Sequence, residues 1–339
     1  MNTIMIGLDL AKSVFHVHGT GSAGEVFRRR LRRAEMERYF SAQPPAVVGM
    51  EACAGAHHWA RMLERMGHEV RLMPPAYVKP YVKRNKTDGR DAEAICEAMQ
   101  RPTMRFVAVK SEEQQAVLVV QRAHSLLTRQ RTMLANALRA VFTEFGVVAA
   151  QGTKGLGELL ERLAAADCPI PAPAREVMLV VAGQWKALDG EVRALEQRIV
   201  RAARASADAR ALMDVPGIGP ITASALAATV PDPQVFRTAR GFAAWVGLTP
   251  RQHGTGGKTR SGAISKRGDR HLRRLLIIGA SAQLRHAGRR GTKDPWLREL
   301  MARRPYKVVM VALAAKTARI AWAMLATGER YRAPMPVAA

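Results

Sequence analysis

Short apolar runs separated by turn residues fill the first hundred positions, and their order constrains the fold more than any other feature. The first three runs predict consecutive strands: 3–10, 13–18 and 25–31. The remaining predicted elements then alternate between helix and strand along the chain: 34–42, 46–51, 56–66, 68–73 and 88–100. We therefore predict a mixed α/β domain of the order β-β-β-α-β-α-β-α.

That element order is the order of a ribonuclease-H-like domain, in which the first and fourth strands lie side by side. Two of the apolar runs carry an acidic residue at or near their end, Asp9 and Glu51. Asp88 and Asp91 stand three positions apart at the start of the last predicted helix, so they share one helix face. We predict that these four carboxylates meet at one place.

Each acid also has a simpler explanation. Asp9 and Glu51 can serve as polar ends of apolar strands, whereas Asp88 and Asp91 suit the cap and first turn of any helix. The convergence of four acids at one predicted point favours a metal centre instead. Two divalent metals about 4 Å apart need several oxygen ligands, and they activate a nucleophile while stabilising the leaving oxygen.

The charge balance indicates the partner. The chain carries 53 Lys and Arg against 28 Asp and Glu, a formal charge of +25. Nucleic acid is the usual polyanion that neutralises such an excess. An anionic membrane is less favoured, since no signal peptide opens the chain and the best apolar run, 308–326, contains Lys316 and Arg319. Three widely spaced cysteines fit reduced cytosolic thiols and exclude a zinc cluster, so we expect a soluble cytoplasmic protein.

The middle of the chain predicts two long helices with coiled-coil seams. Within 111–145 an apolar residue recurs every seven positions: Val120, Leu127, Leu134 and Val141. The second helix has an unbroken 4-3-4-3-4 spacing: Val181, Trp185, Leu188, Val192, Leu195 and Ile199. The two helices can pack on each other within one chain or on a second subunit, so we interpret this segment as a spacer and an association arm.

The C-terminal third carries two phosphate-binding patterns. Gly217 and Gly219, in Pro-Gly-Ile-Gly between two predicted helices, resemble a helix-hairpin-helix, in which glycines let backbone amides approach a phosphate, although a plain tight turn is the alternative. A glycine-rich loop follows at 254–258 and does not match a nucleotide-binding loop. Its basic surroundings predict a loop that grips a phosphodiester, with a solvated charged loop as the alternative. We predict the following nucleic-acid contacts: Arg28, Arg29, Arg30, Lys86, Gly217, Gly219, Arg251, Lys258, Arg260, Lys266, Arg267 and Arg270.

Several short motifs together resemble one family. They are Gly7-Leu8-Asp9-Leu10-Ala11-Lys12, Met50-Glu51-Ala52, Asn85-Lys86-Thr87-Asp88 with Asp91-Ala92, Pro216-Gly217-Ile218-Gly219, Leu248-Thr249-Pro250-Arg251 and Ile264-Ser265-Lys266-Arg267-Gly268-Asp269. This set is similar to the DEDD transposases of bacterial insertion sequences, which act as bridge-RNA-guided recombinases. The resemblance implies a RuvC-like domain of the ribonuclease-H fold (1–108), a coiled-coil connector (109–206) and a helical transposase domain (207–332).

The resemblance also implies the chemistry. It assigns magnesium, with manganese as a substitute, to Asp9, Glu51, Asp88 and Asp91. In this family a serine of the C-terminal glycine-rich loop attacks the DNA phosphate and forms a covalent link, and acids of another subunit help to build that site. This chain has Gly254 and Thr255 where the serine is expected. The candidate nucleophiles are, in order of preference, Thr255, Ser261 and Ser265; metal, Lys258 or Arg260 would have to activate them.

The expected function is that of a site-specific DNA recombinase that excises and inserts its own element. A structured RNA would pair with donor and target double-stranded DNA, and the protein would act as a homo-oligomer, a dimer that forms a tetramer in the synaptic complex. A content of 5% aromatic residues fits a protein that leaves sequence choice to base pairing. The alternatives are a junction endonuclease that uses the four acids with water, and a non-catalytic protein that packages nucleic acid.

Overall fold

The computed structural model describes residues 4–21, 23–83 and 88–333. The predicted contact Lys86, with Asn85 and Thr87 of the helix-start motif, lies outside these ranges. The chain divides into two compact units: Met1–Gln114 with Val230–Thr238, and Gln115–Thr229 with Ala239–Ala339. The predicted boundary at 206 falls inside the second unit, and the three-domain division stays a prediction.

A five-stranded mixed sheet forms the first unit. Its strands are β1 (Met5–Asp9), β2 (Val14–Thr20), β3 (Val26–Arg32), β4 (Val47–Glu51) and β5 (Glu69–Met73). They lie in the order β3-β2-β1-β4-β5. Strand β2 is antiparallel to its neighbours β1 and β3, whereas β1, β4 and β5 run parallel to one another. The prediction that the first and fourth strands are neighbours is therefore confirmed.

Helices accompany this sheet as α1 (Met36–Ser41), α2 (Ala56–Arg65), α3 (Pro75–Val78) and α4 (Asp88–Met99). The main core contains Ile6, Leu8, Phe15 and Met50 with buried residues of α1 and α2. A second core forms under α4 and includes Val47, Met73, Ile95 and Met99. Side chains alternate between the two faces of a sheet along each strand, so Met50 and Val47 of β4 lie on opposite faces. Because they belong to different cores, the sheet is covered on both faces.

Two long antiparallel helices, α5 (Glu112–Glu144) and α7 (Ala172–Ala205), flank the shorter α6 (Thr153–Ala164). Arg131 Nη1 lies 2.8 Å from Asp189 Oδ1, and His124 Nε2 lies 3.6 Å from Glu196 Oε1. Arg131 lies seven residues after His124 on α5, whereas its partner Asp189 lies seven residues before Glu196 on α7. The two helices therefore run in opposite directions. Of the two arrangements left open by the sequence, the packing within one chain is present.

The predicted seam of α5 is not its most buried line. Val120, Leu127, Leu134 and Val141 are only half-buried. The fully buried positions of α5 are Gln121, His124, Ala135, Leu138 and Phe142. The reason is that α5 packs against more than α7: Gln121 Nε2 donates to Ile221 O, 3.1 Å away, and Leu138 and Phe142 share a core with α6.

The rest of the second unit is mostly helical. Its helices are α8 (Ala207–Leu212), α9 (Pro220–Thr229), α10 (Ala239–Val246), α11 (Arg270–Arg290), α12 (Pro295–Arg303) and α13 (Tyr306–Thr327). The glycine-rich segment was predicted to be a loop, but it forms a hairpin of β6 (Pro250–Thr255) and β7 (Lys258–Ile264). Gly256 and Gly257 have φ values of 56° and 77°, which a two-residue hairpin turn requires.

One helix among the described residues, α13, is long and apolar enough to cross a membrane by length and composition. It contains the apolar run 308–326, which the sequence analysis disfavoured as a membrane span because of Lys316 and Arg319. The test is weak evidence, because core helices of soluble proteins also pass it. Within its unit α13 packs against α10 and α11, and its Lys316 Nζ lies 2.9 Å from Asp294 Oδ2.

Candidate metal centre and nucleic-acid surface

Three of the four predicted acids come together where the central strand β1 ends. Asp9 is the last residue of β1, and Asp88 and Asp91 occupy the first turn of α4. One carboxylate oxygen of each lies within 4.8 Å of the others. Asp9 and Asp91 are half-buried whereas Asp88 is exposed. Carboxylate oxygens are the ligands that Mg²⁺ and Mn²⁺ prefer, so the donor set fits a hard divalent cation.

Gly7 explains why α4 lies so close to β1. A Cβ atom built on Gly7 would lie 2.1 Å from Ala92 O and 2.6 Å from Cys96 N, both backbone atoms of α4. Only a residue without a side chain allows this approach. Since Ala92 follows Asp91 directly, the contact that holds the helix on the strand also holds the acids over Asp9. Gly7 was recognised from the sequence only as part of a motif, although a glycine inside an apolar strand signals such a contact.

Glu51, the fourth predicted acid, ends β4 beside Asp9. Met50 pairs with Leu8 in the parallel register, so the next residues, Glu51 and Asp9, follow side by side on one sheet face. Burial raises the pKa of the Cys53 thiol, and the carboxylates of Glu51 and Asp9 raise it further. Glu51 is nevertheless outside the group of three, and its role as a metal ligand stays a prediction.

His16 is a residue of this site that the sequence analysis missed. It pairs with Asp9 across β1 and β2, and its Nε2 lies 3.9 Å from Asp88 Oδ2. On its other side His16 pairs with Arg30 of β3. The alternation Val14-Phe15-His16-Val17 could have placed His16 on a polar face, but only the strand pairing brings it beside the acids.

The arginines of β3 lie on both sheet faces, as strand alternation predicts. Arg28 and Arg30 share the face of His18 and His16, and Arg29 points to the opposite face. Arg28 Nη2 lies 3.3 Å from Glu93 Oε2, and Glu93 also pairs with Lys83. The hydrogen bond from Lys83 holds the pKa of Glu93 below its usual range. All three arginines are exposed, and their contact with nucleic acid stays a prediction.

The hairpin β6–β7 presents the candidate nucleophiles on different faces. Thr255 pairs with Lys258 and His253 pairs with Arg260, so these four residues share one face. Ser261 pairs with Gln252 and therefore lies on the other face. Both proposed cations thus accompany Thr255 rather than Ser261. Both hydroxyl-bearing residues are exposed.

The third candidate, Ser265, lies where the hairpin returns to the helical core. Its backbone N donates to Thr249 O over 2.9 Å, and its carbonyl accepts from Arg251 Nη2 at 3.2 Å. The buried Arg273 donates from Nη1 to Val246 O at 2.8 Å and to Arg267 O at 3.0 Å. Arg273 therefore holds the base of the hairpin. The predicted contacts around it remain exposed: Arg251, Lys258, Arg260, Lys266, Arg267 and Arg270.

The Pro-Gly-Ile-Gly turn joins α8 to α9, as the helix-hairpin-helix pattern predicts. Gly217 has φ +85°, and a Cβ atom built on Gly279 of α11 would lie 1.9 Å from Gly217 O. Gly217 therefore makes a close backbone contact within the core of its unit. Gly219 is exposed directly before α9. Phosphate binding by either glycine stays a prediction.

The sheet and its carboxylate cluster are consistent with a nuclease-like domain that depends on a divalent metal. A family model for DEDD transposases of the IS110 type, described as "Transposase", matches residues 6–146. The model described as "Transposase IS116/IS110/IS902 family" matches residues 209–301. Together the two models match parts of both units of the chain.

Curated relatives agree with both models. The chain is 50% identical over 336 residues to a "Probable family 20 transposase" of Pseudomonas aeruginosa, covering 98% of this chain and 99% of that protein. It is 45% identical over 332 residues to "Putative transposase y4pF/y4sB" of Sinorhizobium fredii, covering 97% and 86%. It is 38% identical over 331 residues to "Transposase for insertion sequence element IS1111A" of Coxiella burnetii, covering 97% and 91%.

The chain belongs to the IS110/IS116 family of insertion-sequence transposases, as the sequence motifs indicated. It is an enzyme of DNA recombination, and DNA is its substrate. Membership of the DEDD group implies a divalent metal, for which the three acids are the described candidates.

Proposed function

We propose that this transposase cuts and rejoins DNA with a metal centre on a RuvC-like, ribonuclease-H-like domain, and that a structured bridge RNA selects the sites. The convergence of Asp9, Asp88 and Asp91 is the observation that carries the proposal. The strand order β3-β2-β1-β4-β5, with the first three strands antiparallel, supports the assignment of the domain.

The metal ligands would be Asp9, Glu51, Asp88 and Asp91, with Mg²⁺ as the natural ion and Mn²⁺ as a substitute. A bound divalent ion would supply Lewis acidity toward a phosphoryl oxygen. The half-buried setting of Asp9 and Asp91 favours this use, because charge interactions strengthen where water is partly excluded. Glu51 would complete the set from the adjacent strand.

Thr255 would be the nucleophile. Its Oγ would form a bond to the phosphorus while one bridging P–O bond of the strand breaks; the hydroxyl proton would pass to solvent, and the leaving oxygen would take up a proton. Lys258 and Arg260, on the same hairpin face, would stabilise the charge that develops on the phosphate. Ser261 is the second candidate, and its position on the opposite face separates it from both cations.

Guide RNA and DNA would bind the exposed cations of both units. Arg29 and Arg30 on β3 and Arg251, Lys266 and Arg267 around the hairpin are exposed. Phosphate contacts position a nucleic acid without reading its sequence. A net charge of +25 suits a protein that holds RNA and DNA duplexes together, and base pairing would supply the specificity.

The active assembly would be a homo-oligomer, a dimer that forms a tetramer when two DNA sites are joined. An apolar stripe on α5 supports association with a second copy: Val119, Leu126 and Met133 are spaced seven residues apart and are 60%, 45% and 68% exposed. That spacing is the repeat of a coiled-coil seam. The acids of one subunit would then work with the hairpin of another, in the cytoplasm where the element's DNA lies.

The test is strand exchange with purified protein, Mg²⁺, donor and target DNA, and RNA transcribed from the sequence that flanks the gene. We expect recombinant junctions that require the RNA and disappear in Asp91→Asn. Glu97→Gln is the matched control, because Glu97 is an exposed acid on the same helix whose partner is Arg101. A complete reaction that never yields a junction would contradict the proposal.

The covalent step is tested by trapping a protein–DNA adduct under denaturing conditions. The adduct should be lost in Thr255→Ala and kept in Thr255→Ser and Ser261→Ala. Metal-dependent cutting without any adduct would instead identify a junction endonuclease that uses water. Nucleic-acid binding that is unchanged in Asp88→Asn and Asp91→Asn, together with no cutting by the wild type, would leave only the non-catalytic alternative.

A further inference from the structure

A single row of side chains crosses four neighbouring strands at the metal site. The pairings place Glu51 beside Asp9, Asp9 opposite His16 and His16 opposite Arg30. Neighbouring strands are about 4.8 Å apart, so the row runs without a gap across these four strands. It changes from acidic at one end to basic at the other, and His16 lies at the boundary.

The His16 ring is also the group that approaches the most exposed acid. Its Nε2 lies 3.9 Å from Asp88 Oδ2, and the side chain of His16 is 23% exposed whereas that of Asp88 is 68% exposed. His16 belongs to the middle of a paired strand, whereas Asp88 is the first residue of its helix. A ring held by the sheet can therefore orient a carboxylate that solvent surrounds.

We infer that His16 is a positioning residue of the metal centre. Its Nε2 lies 3.9 Å from Asp88 Oδ2, just beyond hydrogen-bond range, and a small turn of the exposed carboxylate would let the Nε2–H hold it toward Asp9 and Asp91. This inference rests on the proposed metal site. Ligating carboxylates are usually fixed by hydrogen bonds from outer side chains, and loss of such a partner typically weakens metal binding by about 10–100-fold. An Asp88 carboxylate that is not held would spend part of its time away from the other two acids.

The test is Mn²⁺ binding to the purified full-length protein, followed by electron paramagnetic resonance of the free ion. His16→Phe keeps a ring but removes the donor, and we expect it to raise the Kd for Mn²⁺ by about tenfold. His16→Gln places an amide N–H near the position of Nε2 and should stay within about twofold of the wild type. His58→Phe is the matched control, since His58 is exposed on α2 and is outside the row.

A second readout separates positioning from structural damage. The Mg²⁺ concentration for half-maximal cleavage should rise in His16→Phe, while the rate at saturating Mg²⁺ and the melting temperature stay near the wild-type values. Equal weakening of Mn²⁺ binding in His16→Phe and His16→Gln would overturn the inference, because the donor would then not be the cause.

Asp91→Asn distinguishes the inference from the site on which it rests. If Asp91→Asn abolishes Mn²⁺ binding and His16→Phe leaves it unchanged, the metal site stands and the role of His16 is refuted. If Asp91→Asn binds Mn²⁺ like the wild type, the metal site itself is wrong. Loss with Asp91→Asn, weakening with His16→Phe and recovery with His16→Gln would support both.

Discussion

Substitution of Gly7 by alanine should disable the metal centre without touching any acidic residue. The added Cβ atom would lie 2.1 Å from Ala92 O and 2.9 Å from Cys96 Cβ, whereas real Cβ atoms essentially never approach closer than 3.0 Å. Helix α4 must then retreat from β1 by the difference between 2.1 Å and 3.0 Å, about 0.9 Å. Metal–ligand distances tolerate only about 0.2 Å, so Asp88 and Asp91 would leave the position that complements Asp9.

The stability cost is expected to be modest. Overpacking by one methyl group in a well-packed core typically costs about 1–3 kcal/mol, which the folded state of a chain of this size can survive. We expect Gly7→Ala to fold with a lower melting temperature and to lose most of its Mn²⁺ affinity and strand cleavage. Denaturant unfolding and Mn²⁺ titration measure the two effects separately.

Gly49→Ala is the matched control. Gly49 pairs with Gly7 on the neighbouring strand, and its added Cβ atom would meet the Met99 Sδ at 2.7 Å. That sulfur belongs to a flexible side chain at the far end of α4 from Asp88, so it can move aside and leave the acids in place. Unchanged Mn²⁺ affinity in Gly7→Ala, or equal loss in both variants, would refute the role assigned to the contact between Gly7 and α4.

Three further predictions concern the second unit. Gly183→Ala and Gly190→Ala should each raise the unfolding free energy by about 1 kcal/mol, because both glycines are exposed within α7 and an added Cβ atom meets nothing within 4 Å; urea melts that show destabilisation would contradict this. Burial is the main reason why the pKa of His271 lies below its usual 6.5, so the folded state takes up fewer protons there than the unfolded state. The unfolding free energy should therefore decrease as the pH is lowered from about 7.5 to about 5.5, and His271→Gln should flatten that dependence. An unchanged slope in His271→Gln would be evidence against this role of His271. The charges that face this ring come from several elements: Asp269, Arg274, His124 and Arg122. Met133→Asp should dissociate the proposed oligomer in sedimentation experiments, whereas the same change at the exposed Gln130 should have a smaller effect, and equal effects would argue against a seam on this side of α5.

Sequence patterns were sufficient where one element carries the whole signal. The strand β1 and the start of α4 were recognisable from a run of apolar residues and from two aspartates three positions apart, and the family motifs add the acids. The hairpin was mistaken for a loop because the glycines were interpreted as flexible. Two adjacent glycines between alternating residues are equally the mark of a tight hairpin turn, and Gly256 and Gly257 form one.

Patterns were insufficient where burial depends on several neighbours. The seven-residue repeat of α5 selected Val120 and Leu127, but the helix buries Gln121 and His124 instead. A repeat identifies the apolar stripe of a helix in isolation, whereas α5 is contacted by more than one partner. The same helix also keeps Leu126 exposed, and the sequence alone could not reveal which apolar residues would remain on the surface.

The sequence by itself thus determined which acidic residues are available, where strands and helices begin, and how large an excess of positive charge nucleic acid would neutralise. The meeting of Asp9 with Asp88 and Asp91, and the place of His16 beside them, depended on the pairing of β1 with β2 and on the backbone contact at Gly7. The physical reason is distance. Asp9 and Asp88 are about eighty positions apart in the chain. They come within a few ångströms only because strand pairing places β1 in the sheet and because Gly7, without a side chain, lets α4 approach it.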